Sequence, residues 1–209
     1  MIATKLTIMR HGETEWNGIG KQQGHLDSPL TENGIKQAEA VRDWIGNDYD
    51  LIISSDLGRA MQTAAIIAEK HELKIIAKSG LRERNLGILQ GLTMEEFRAQ
   101  YPLDFEQFNS DDPDYVIPSG ESARQRFERA INTFNEIRTD YNGSNVFIVT
   151  HGGIIESLFR FVLGIPLAQK RTYTLRNGSL NKFFHEERWM LDSWGDINHL
   201  KGIAALDDF

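Results

Sequence analysis

Three short polar segments carry the histidines and arginines whose types and spacing best suit chemistry. They are Arg10-His11-Gly12-Glu13, residues 54–59 (Ser-Ser-Asp-Leu-Gly-Arg) and Thr150-His151-Gly152-Gly153, and each follows a run rich in apolar residues. A guanidinium can bind two oxygens of one anion, and an imidazole can act as a nucleophile or as a hydrogen-bond donor. Two arginines and two histidines together therefore indicate a site for an oxyanion such as phosphate.

The elements that must position these segments alternate between strand and helix. Short apolar runs typical of buried strands occupy residues 2–9, 50–54, 73–77 and 146–149. Apolar residues at helical spacing predict helices after Thr31 and over residues 57–68, 93–100, 127–141 and 153–163. Two late strands, which an antiparallel pairing would suit, are expected at residues 179–184 and 188–191. This alternation predicts an α/β fold, a three-layer α/β/α sandwich with a mainly parallel central sheet.

The expected sheet brings the three polar segments together. Ligands of open α/β sheets bind beyond the carboxyl ends of the strands, which is where each of these segments lies. Gly12 would let the backbone approach a ligand closely. A helix beginning after Gly153 would add backbone N–H donors for an anion.

Each of these residues also has a plain structural interpretation. Taken alone, His11 is an ordinary loop histidine, and His151 is a packed residue in a tight strand-to-helix turn. Arg59 alone is a solvated helix arginine, with Ser55 or Asp56 as the N-cap of that helix. The convergence of all three segments favours a shared site over these separate interpretations.

Composition excludes several other classes of protein. The chain has 209 residues, 23 Lys and Arg against 30 Asp and Glu, a formal net charge of −7 and no cysteine. The absence of cysteine excludes disulfides, thiolate zinc sites and cysteine nucleophiles. The acidic balance disfavours nucleic acid and anionic membrane surfaces as partners. The longest uninterrupted apolar run, residues 64–68, is far shorter than a membrane span. We therefore expect a single domain, no membrane association and a cytoplasmic location.

No metal or nucleotide motif accompanies the polar segments. A His-Glu-x-x-His spacing and a Gly-x-x-x-x-Gly-Lys phosphate loop are both missing from the sequence. His11 and Glu13 are the nearest approach to a pair of metal ligands. We expect neither a metal nor a cofactor.

The chain resembles a known family. Residues 8–17 (Ile-Met-Arg-His-Gly-Glu-Thr-Glu-Trp-Asn) are similar to the opening signature of the histidine phosphatase superfamily, in the branch of cofactor-dependent phosphoglycerate mutases and related phosphatases. Further family-like blocks follow in order at residues 27–38, 54–64, 81–91, 118–122 and 149–153. The resemblance covers essentially the whole chain. It implies a phosphoglycerate mutase-like fold over residues 1–209, in which residues 93–123 form an inserted cover over the site.

The resemblance implies five catalytic residues. His11 would attack phosphorus and become a phosphohistidine. Arg10 and Arg59 would clamp the non-bridging oxygens, and His151 would donate a further hydrogen bond. Glu83 would protonate the leaving group and then activate water. Without the family motif, the preferred interpretation of Glu83 is a solvated loop glutamate beside Arg82 and Arg84.

Substrate-binding roles follow from the same resemblance for a second set of residues. The set comprises Arg10, Asn17, Gln23, Gly24, Arg59, Arg84 and Gly152. Asn17 would add a neutral hydrogen bond to the phosphate. Arg84 is a candidate for binding a carboxylate or a second phosphate, as are its neighbour Arg82 and Lys21. The implied partner is a small phosphorylated metabolite, and the sequence leaves the oligomeric state open.

The fate of the phosphohistidine distinguishes two activities. Mutases of the family are implied to carry a longer, arginine-bearing insertion between the Glu83 and His151 blocks. Here residues 99–123 contain no Lys or Arg and six acids, which we expect to repel a bisphosphorylated ligand. The prediction is a phosphatase acting on small phosphomonoesters. The alternatives are a 2,3-bisphosphoglycerate-dependent phosphoglycerate mutase, which residues 83–84 and 87–91 resemble, and a non-catalytic phosphate-binding scaffold.

Overall fold

The computed structural model describes residues 3–207. Its strands are β1 (Thr4–Arg10), β2 (Leu51–Ser54), β3 (Ile75–Ala77), β4 (Asn145–Thr150), β5 (Leu180–His185) and β6 (Trp189–Asp196). Its helices are α1 (Glu15–Gly18), α2 (Glu32–Trp44), α3 (Gly58–His71), α4 (Met94–Gln100), α5 (Pro102–Phe108), α6 (Ala123–Asp140) and α7 (Gly152–Leu163). Three short 3₁₀ turns lie at Ser79–Leu81, Gly87–Leu89 and Asn198–Leu200.

All six strands form one sheet in the order β3-β2-β4-β1-β5-β6. The pairs β2/β3, β2/β4 and β1/β4 are parallel, whereas β1/β5 and β5/β6 are antiparallel. The predicted, mainly parallel sheet is therefore confirmed, as is the antiparallel pairing of the late strands. β1 and β4 lie side by side at the centre, so the segments that follow them emerge together.

Two hydrophobic cores make the fold three layers deep. One face of the sheet, including Leu6 and Ile148, packs against the buried sides of α6 and α7. The other face, including Met9 and Phe147, packs against α2 and α3. Successive residues of β1 thus point to opposite cores, as the period of two in a strand requires. The α/β/α sandwich is confirmed.

Several elements differ from the sequence prediction. The first strand was expected from Ile2, which lies outside the described residues, and β3 begins at Ile75 rather than at residue 73. α5 was not predicted. Tyr101 does end α4, but Pro102 then begins α5, because proline fits the first turn of a helix, where its missing N–H is not needed. α1 is a single turn that Thr14 caps, too short to leave an apolar period in the sequence.

The segment of residues 93–123 holds α4 and α5 and has its own small core. Phe97 is fully buried there beside Leu86, Leu89 and Ile117. This cluster is separate from the two sheet cores. Within the described residues, no helix is long and apolar enough to cross a membrane.

Candidate active site

The carboxyl ends of β1, β2 and β4 bring both predicted histidines and both predicted arginines together. The His11 N–H donates to the Thr150 carbonyl at 2.9 Å, directly across the β1/β4 pair. The rings of His11 and His151 lie 5.2 Å apart between centroids. Arg10, His11, Arg59 and His151 are all buried, with 4% exposure at most.

The hydrogen bonds of His11 define which ring nitrogen carries the proton and which carries the lone pair. Nδ1 lies 2.7 Å from the Gly12 carbonyl oxygen, so Nδ1 carries the proton that this bond needs. Nε2 accepts a hydrogen bond from Arg59 Nε at 3.2 Å. Burial, followed by the charges of Arg59 and Arg10, holds the pKa of His11 well below its usual value. The imidazole is therefore neutral, and its Nε2 lone pair faces the Arg59 guanidinium in the wall of the cavity described below.

Arg59, at the start of α3, is fixed by the segment of residues 24–27. Its guanidinium donates to the carbonyl oxygens of Leu26 and Gly24, at 2.8 and 2.9 Å, and to Asp27 Oδ1 at 2.8 Å. Asp27 also accepts from the N–H groups of Gly58 and Arg59, so it caps α3 from a distant loop. Burial lowers the pKa of Arg59, and the Asp27 charge opposes that shift.

The predicted caps of this helix were wrong. Leu57 is the N-cap and makes no side-chain bond there. Ser55 instead lies 2.8 Å from His151 Nε2, and Asp56 forms a salt bridge with Arg82. Asp27 caps the helix from a distant loop, because Ser55 and Asp56 bind His151 and Arg82 instead.

Arg10 is oriented by a segment near the other end of the chain. Its Nη1 donates to the Leu175 carbonyl oxygen at 2.7 Å. Asn177 Nδ2 donates to the His11 carbonyl oxygen at 3.1 Å. Sequence reasoning missed both supports, since a backbone carbonyl or a lone asparagine leaves no signature in a pattern.

His151 lies behind His11 with one ring nitrogen uncommitted. Its Nε2 bonds to the Ser55 hydroxyl, whereas its buried Nδ1 has no hydrogen-bond partner among residues 3–207. Burial, followed by the charge of Arg59, holds the pKa of His151 well below its usual value. If the Ser55 hydroxyl donates to Nε2, Nδ1 carries a proton that an anion in the cavity can accept.

Glu83 reaches the same cavity from the loop after β3. Its carboxylate accepts from the N–H of Gly153 at 2.9 Å and from the N–H of Arg84 at 2.7 Å. His25 Nε2 bonds to the Glu83 carbonyl oxygen at 2.9 Å, which fixes the backbone at this point. At this helix start, where the sequence predicted backbone donors for an anion, the Gly153 N–H therefore binds the Glu83 carboxylate. The helix itself begins at Gly152.

A cavity of about 400 Å³ lies at these groups, although the buried His151 does not itself line it. The predicted residues that line it are Arg10, His11, Asn17, Gln23, Gly24, Arg59, Glu83, Arg84 and Gly152. Lys21, a sequence candidate for a carboxylate or second phosphate, also lines it. The lining residues not assigned to the site from sequence are Gln22, Leu86, Met94, Phe108 and Arg126. A larger cleft of about 530 Å³ lies at the opposite end of β1 and contains none of the predicted site residues.

The predicted substrate residues beside α1 largely support one another. Asn17 Oδ1 accepts from the N–H and the hydroxyl of Thr14, at 2.9 and 2.8 Å. The Gln23 amide donates to the same hydroxyl at 2.8 Å and accepts from Ser28. Gly24 contributes its carbonyl oxygen to Arg59. Gln23 and Gly24 therefore hold the cavity wall.

Gly12 has a different use from the predicted one. A Cβ at Gly12 would lie 2.5 Å from the Gly34 carbonyl oxygen, so the glycine allows the loop after β1 to cross the start of α2. Glu13 also turns away from the site, because its carboxylate accepts from Thr31 and Asn33. The pairing of His11 with Glu13 as metal ligands is not formed.

The acids of residues 99–123 do not face the cavity. None of them belongs to its lining. Three have basic partners outside that segment, since Asp114, Glu121 and Asp111 pair with Arg124, Arg129 and Lys170. These acids therefore make no direct contact that would repel a doubly charged ligand in the cavity, and the expected repulsion stays a prediction. The segment adds Met94 and Phe108, both apolar, to the cavity.

Comparisons with known proteins agree with this architecture. The sequence profile of the histidine phosphatase superfamily (branch 1) matches residues 6–197. Phosphoglycerate mutase-like protein 4 of Arabidopsis thaliana is 37% identical over 208 residues, covering 97% of this chain and 89% of the relative. A metal-independent phosphoserine phosphatase of the same plant is 35% identical over 208 residues, covering 97% and 86%.

A solved structure extends the likeness to three dimensions. Bacillus stearothermophilus YhfR superimposes with a TM-score of 0.86 at 31% identity, covering 94% of this chain and 99% of that one. The profile match, the structural likeness and the placement of both histidines at strand ends all indicate the same family. The chain belongs to the histidine phosphatase superfamily, branch 1.

Proposed function

We propose that this protein hydrolyses small phosphomonoesters through a phosphohistidine on His11. The observation that carries the proposal is the neutral His11 ring in the cavity wall, with its proton fixed on Nδ1 by Gly12 and its Nε2 lone pair beside the Arg59 guanidinium. A phosphoryl group would replace the Arg59 Nε–H as the partner of that lone pair. A nucleophile of this kind needs a lone pair at a buried, cationic site. Similarity to a metal-independent phosphoserine phosphatase supports the same reaction class.

The proposed reaction has two balanced steps. In the first, His11 Nε2 attacks phosphorus, the bond from phosphorus to the ester oxygen breaks, and the Glu83 carboxyl gives its proton to the departing alkoxide. In the second, water attacks phosphorus, Glu83 takes back a proton from that water, and the bond from Nε2 to phosphorus breaks. Inorganic phosphate leaves, and His11 and Glu83 return to their starting states.

The surrounding donors are suited to the charge on the transferring phosphoryl group. Arg10 and Arg59 offer guanidinium N–H groups, and His151 offers Nδ1, from three different strand ends. The carbonyl and carboxylate partners of the two arginines fix these groups before substrate arrives. Fixed donors in a buried site stabilise developing charge strongly because they need no reorganisation during the reaction.

We propose that residues 93–123 act as a cover over this site within a single domain. Met94 and Phe108 bring apolar surface to the cavity, and Arg84 lies 5.1 Å from the Phe108 ring. The small core around Phe97 gives this segment a stable shape of its own. The cover would shield the phosphoryl group from water. It would also make the side of the cavity that holds the alcohol of the substrate partly apolar.

A mutase is the second candidate function, and one observation favours it. Lys21, Arg84 and Arg126 line the cavity beyond the four groups that hold the phosphoryl. Extra cations could hold a phosphoglycerate that accepts the phosphoryl group in place of water. Relatives whose names refer to phosphoglycerate mutase agree with this alternative.

The test is a panel of phosphomonoesters that includes phosphoserine and 3-phosphoglycerate, assayed from pH 5 to 8 with and without 2,3-bisphosphoglycerate. We expect phosphate release that His11→Ala abolishes while the circular dichroism spectrum is unchanged. Interconversion of 3- and 2-phosphoglycerate without phosphate release would favour the mutase. A phosphohistidine that forms but never hydrolyses would favour the scaffold.

The cytoplasmic location and the absence of a nucleic-acid partner stay predictions.

A further inference from the structure

Arg126 is a buried cation whose hydrogen-bonding capacity is unused. It lies on α6, lines the cavity and is 8% exposed. Its backbone N–H donates to Ser122 as part of the helix, but its guanidinium makes no hydrogen bond to any residue between 3 and 207, and Nε is fully buried without a partner. Buried guanidinium groups are rarely left in this state, since an unmet donor costs free energy.

Among residues 3–207, the acid that forms an ion pair with Arg126 is Glu156, and that pair is long. Arg126 Nη2 lies 3.7 Å from Glu156 Oε2, which is too far for a hydrogen bond. The other oxygen of Glu156 accepts from Arg160 at 2.9 and 3.0 Å and from the Tyr173 hydroxyl at 2.9 Å. Glu156 therefore balances the charge of Arg126 without binding its donors.

Arg129, one turn further along α6, shows what a structural arginine looks like in this protein. Its guanidinium donates to the carbonyl oxygens of Gly80, Arg82 and Glu83 and to the Glu121 carboxylate. Every face of that group has an acceptor within the chain. The contrast indicates that the acceptor for Arg126 comes from outside the chain.

The position of Arg126 indicates which part of a substrate it would meet. A Cβ at Gly153 would collide with Glu83 Oε1 and would lie 2.6 Å from Arg126 Nη1, so both side chains pack over this glycine. In the proposed reaction Glu83 protonates the ester oxygen. Arg126 therefore lies on the leaving-group side of the cavity, near the first carbons of the alcohol.

A second cation faces the same space. Arg84 donates to the carbonyl oxygens of Glu121 and Tyr115, at 2.8 and 3.3 Å, and also lines the cavity. Burial, followed by the charge of Arg126, lowers the pKa of Arg84 to about 10. Two like charges held close together in a partly apolar cavity favour an anion between or beside them.

We propose that Arg126 is a specificity-determining residue that binds a carboxylate on the alcohol part of the substrate. A carboxylate presents two oxygens that match the fork of a guanidinium. The preferred substrates would then be phosphomonoesters whose carbon chain carries a carboxylate within a few bonds of the ester oxygen. This inference rests on the proposed function for its placement of the leaving group.

Matched substrates isolate the carboxylate. 3-Phosphoglycerate and glycerol 3-phosphate differ only in a carboxylate against a hydroxymethyl group, as phosphoserine and phosphoethanolamine differ in a carboxylate against hydrogen. We expect Arg126→Met to lower kcat/KM for the carboxylated member of each pair by about 10- to 100-fold, mostly through KM, as expected for a lost hydrogen bond to a charge. The kcat/KM of the member without the carboxylate should change by less than about threefold.

A control variant distinguishes the loss of carboxylate binding from a disturbance of the buried ion pairs around Glu156. Arg160→Met disturbs the same Glu156 but lies outside the cavity, so it should leave the ratio of kcat/KM values within each pair unchanged. Arg126→Lys, which keeps the charge, should retain part of the preference if Arg126→Met does not fold. Equal losses on both members of a pair in either Arg126 variant, or a wild-type protein with no preference for the carboxylate, would overturn the proposal.

A binding measurement without turnover tests the role of Arg126 separately from the proposed phosphatase activity. In a His11→Ala background, calorimetric titration with 3-phosphoglycerate and glycerol 3-phosphate measures the carboxylate preference even if no ester is hydrolysed. Tighter binding of 3-phosphoglycerate that Arg126→Met removes supports the role of Arg126 whatever the reaction is. Equal binding of the two ligands overturns that role and leaves the phosphatase proposal standing on its own assay.

Discussion

His11 is an imidazole buried beside two guanidinium groups. Burial and the charges of Arg59 and Arg10 disfavour its protonated form, while the Gly12 carbonyl fixes the remaining proton on Nδ1. The same causes act on His151. With both imidazoles neutral, the positive charge of the pocket lies on Arg10 and Arg59, which can bind an anion.

The lowered pKa of His11 gives stability a definite dependence on pH. In the unfolded chain a histidine takes up a proton near pH 6.5, whereas folded His11 does so only at lower pH. As the pH falls below about 6.5 the unfolded state therefore binds the extra proton, and the free energy of unfolding drops by up to about 1.4 kcal/mol per pH unit. Well above that pH, His11 contributes no such change.

Urea unfolding between pH 7.5 and 5 checks this expectation. His11→Gln should reduce the slope of unfolding free energy against pH by about 1.4 kcal/mol per unit at the acid end, where one proton uptake is lost. The slopes should agree near pH 7.5. Equal slopes throughout would show that folded His11 takes up its proton as readily as the unfolded chain does.

At the scale of the elements, α3 is joined to the site by a loop residue. Asp27 accepts from the first N–H groups of α3 and from the Arg59 side chain, so one carboxylate both caps the helix and aims its arginine. The dipole of a helix favours a negative charge at this end. Arg59 is therefore held in place only while residues 24–27 stay folded against α3.

Replacing Asp27 tests this double role. Asp27→Ala should lower the free energy of unfolding by about 1–2 kcal/mol, as the loss of a helix cap does. It should also weaken inhibition by vanadate or phosphate, because Arg59 loses its charged partner. Asp56→Ala is the matched control: it removes a half-exposed salt bridge to Arg82 and should cost less than about 1 kcal/mol, with inhibition unchanged. Equal effects of the two variants on inhibition would contradict the account.

The elements also show how far the sequence could predict the site. Arg10, His11 and His151 could be found because Arg10 ends a buried strand and the two histidines directly follow one. Parallel strands that end at one edge of a sheet bring these residues together. Asp27 could not, since its role depends on a loop that returns to a helix formed later in the chain. Arg126 looks like any solvated residue in its arginine-rich stretch, and only the packing of α6 against α7 buries it.

At the scale of the whole molecule, Asp207 supports the site through the segment of residues 171–175. The Asp207 carboxylate accepts from Arg171 at 2.9 Å and from the Leu175 N–H at 3.2 Å. The Leu175 carbonyl in turn accepts from Arg10. A residue near the end of the sequence thus helps to orient a side chain at the end of the first strand, a long-range relation that no local pattern reveals.

Loss of the Asp207 carboxylate should therefore reduce activity from a distance. We expect Asp207→Ala to lower kcat/KM by about 10- to 100-fold, because small misplacements of a positioning group weaken catalysis strongly. Asp207→Asn keeps an acceptor for the Leu175 N–H and should retain intermediate activity. Steady-state kinetics with unchanged circular dichroism checks this expectation, and full activity in Asp207→Ala would count against the long-range support of Arg10.

The central claim is that a phosphoryl group passes through His11. Rapid quenching of the enzyme during turnover of a phosphomonoester, followed by tryptic digestion at neutral or alkaline pH and mass spectrometry, tests it most directly. His11 and His151 fall on separate tryptic peptides, residues 11–21 and 139–160. We predict one acid-labile phosphate on the peptide of residues 11–21, absent from His11→Gln. A phosphate on the peptide of residues 139–160, or turnover with no phosphorylated peptide, would contradict the account.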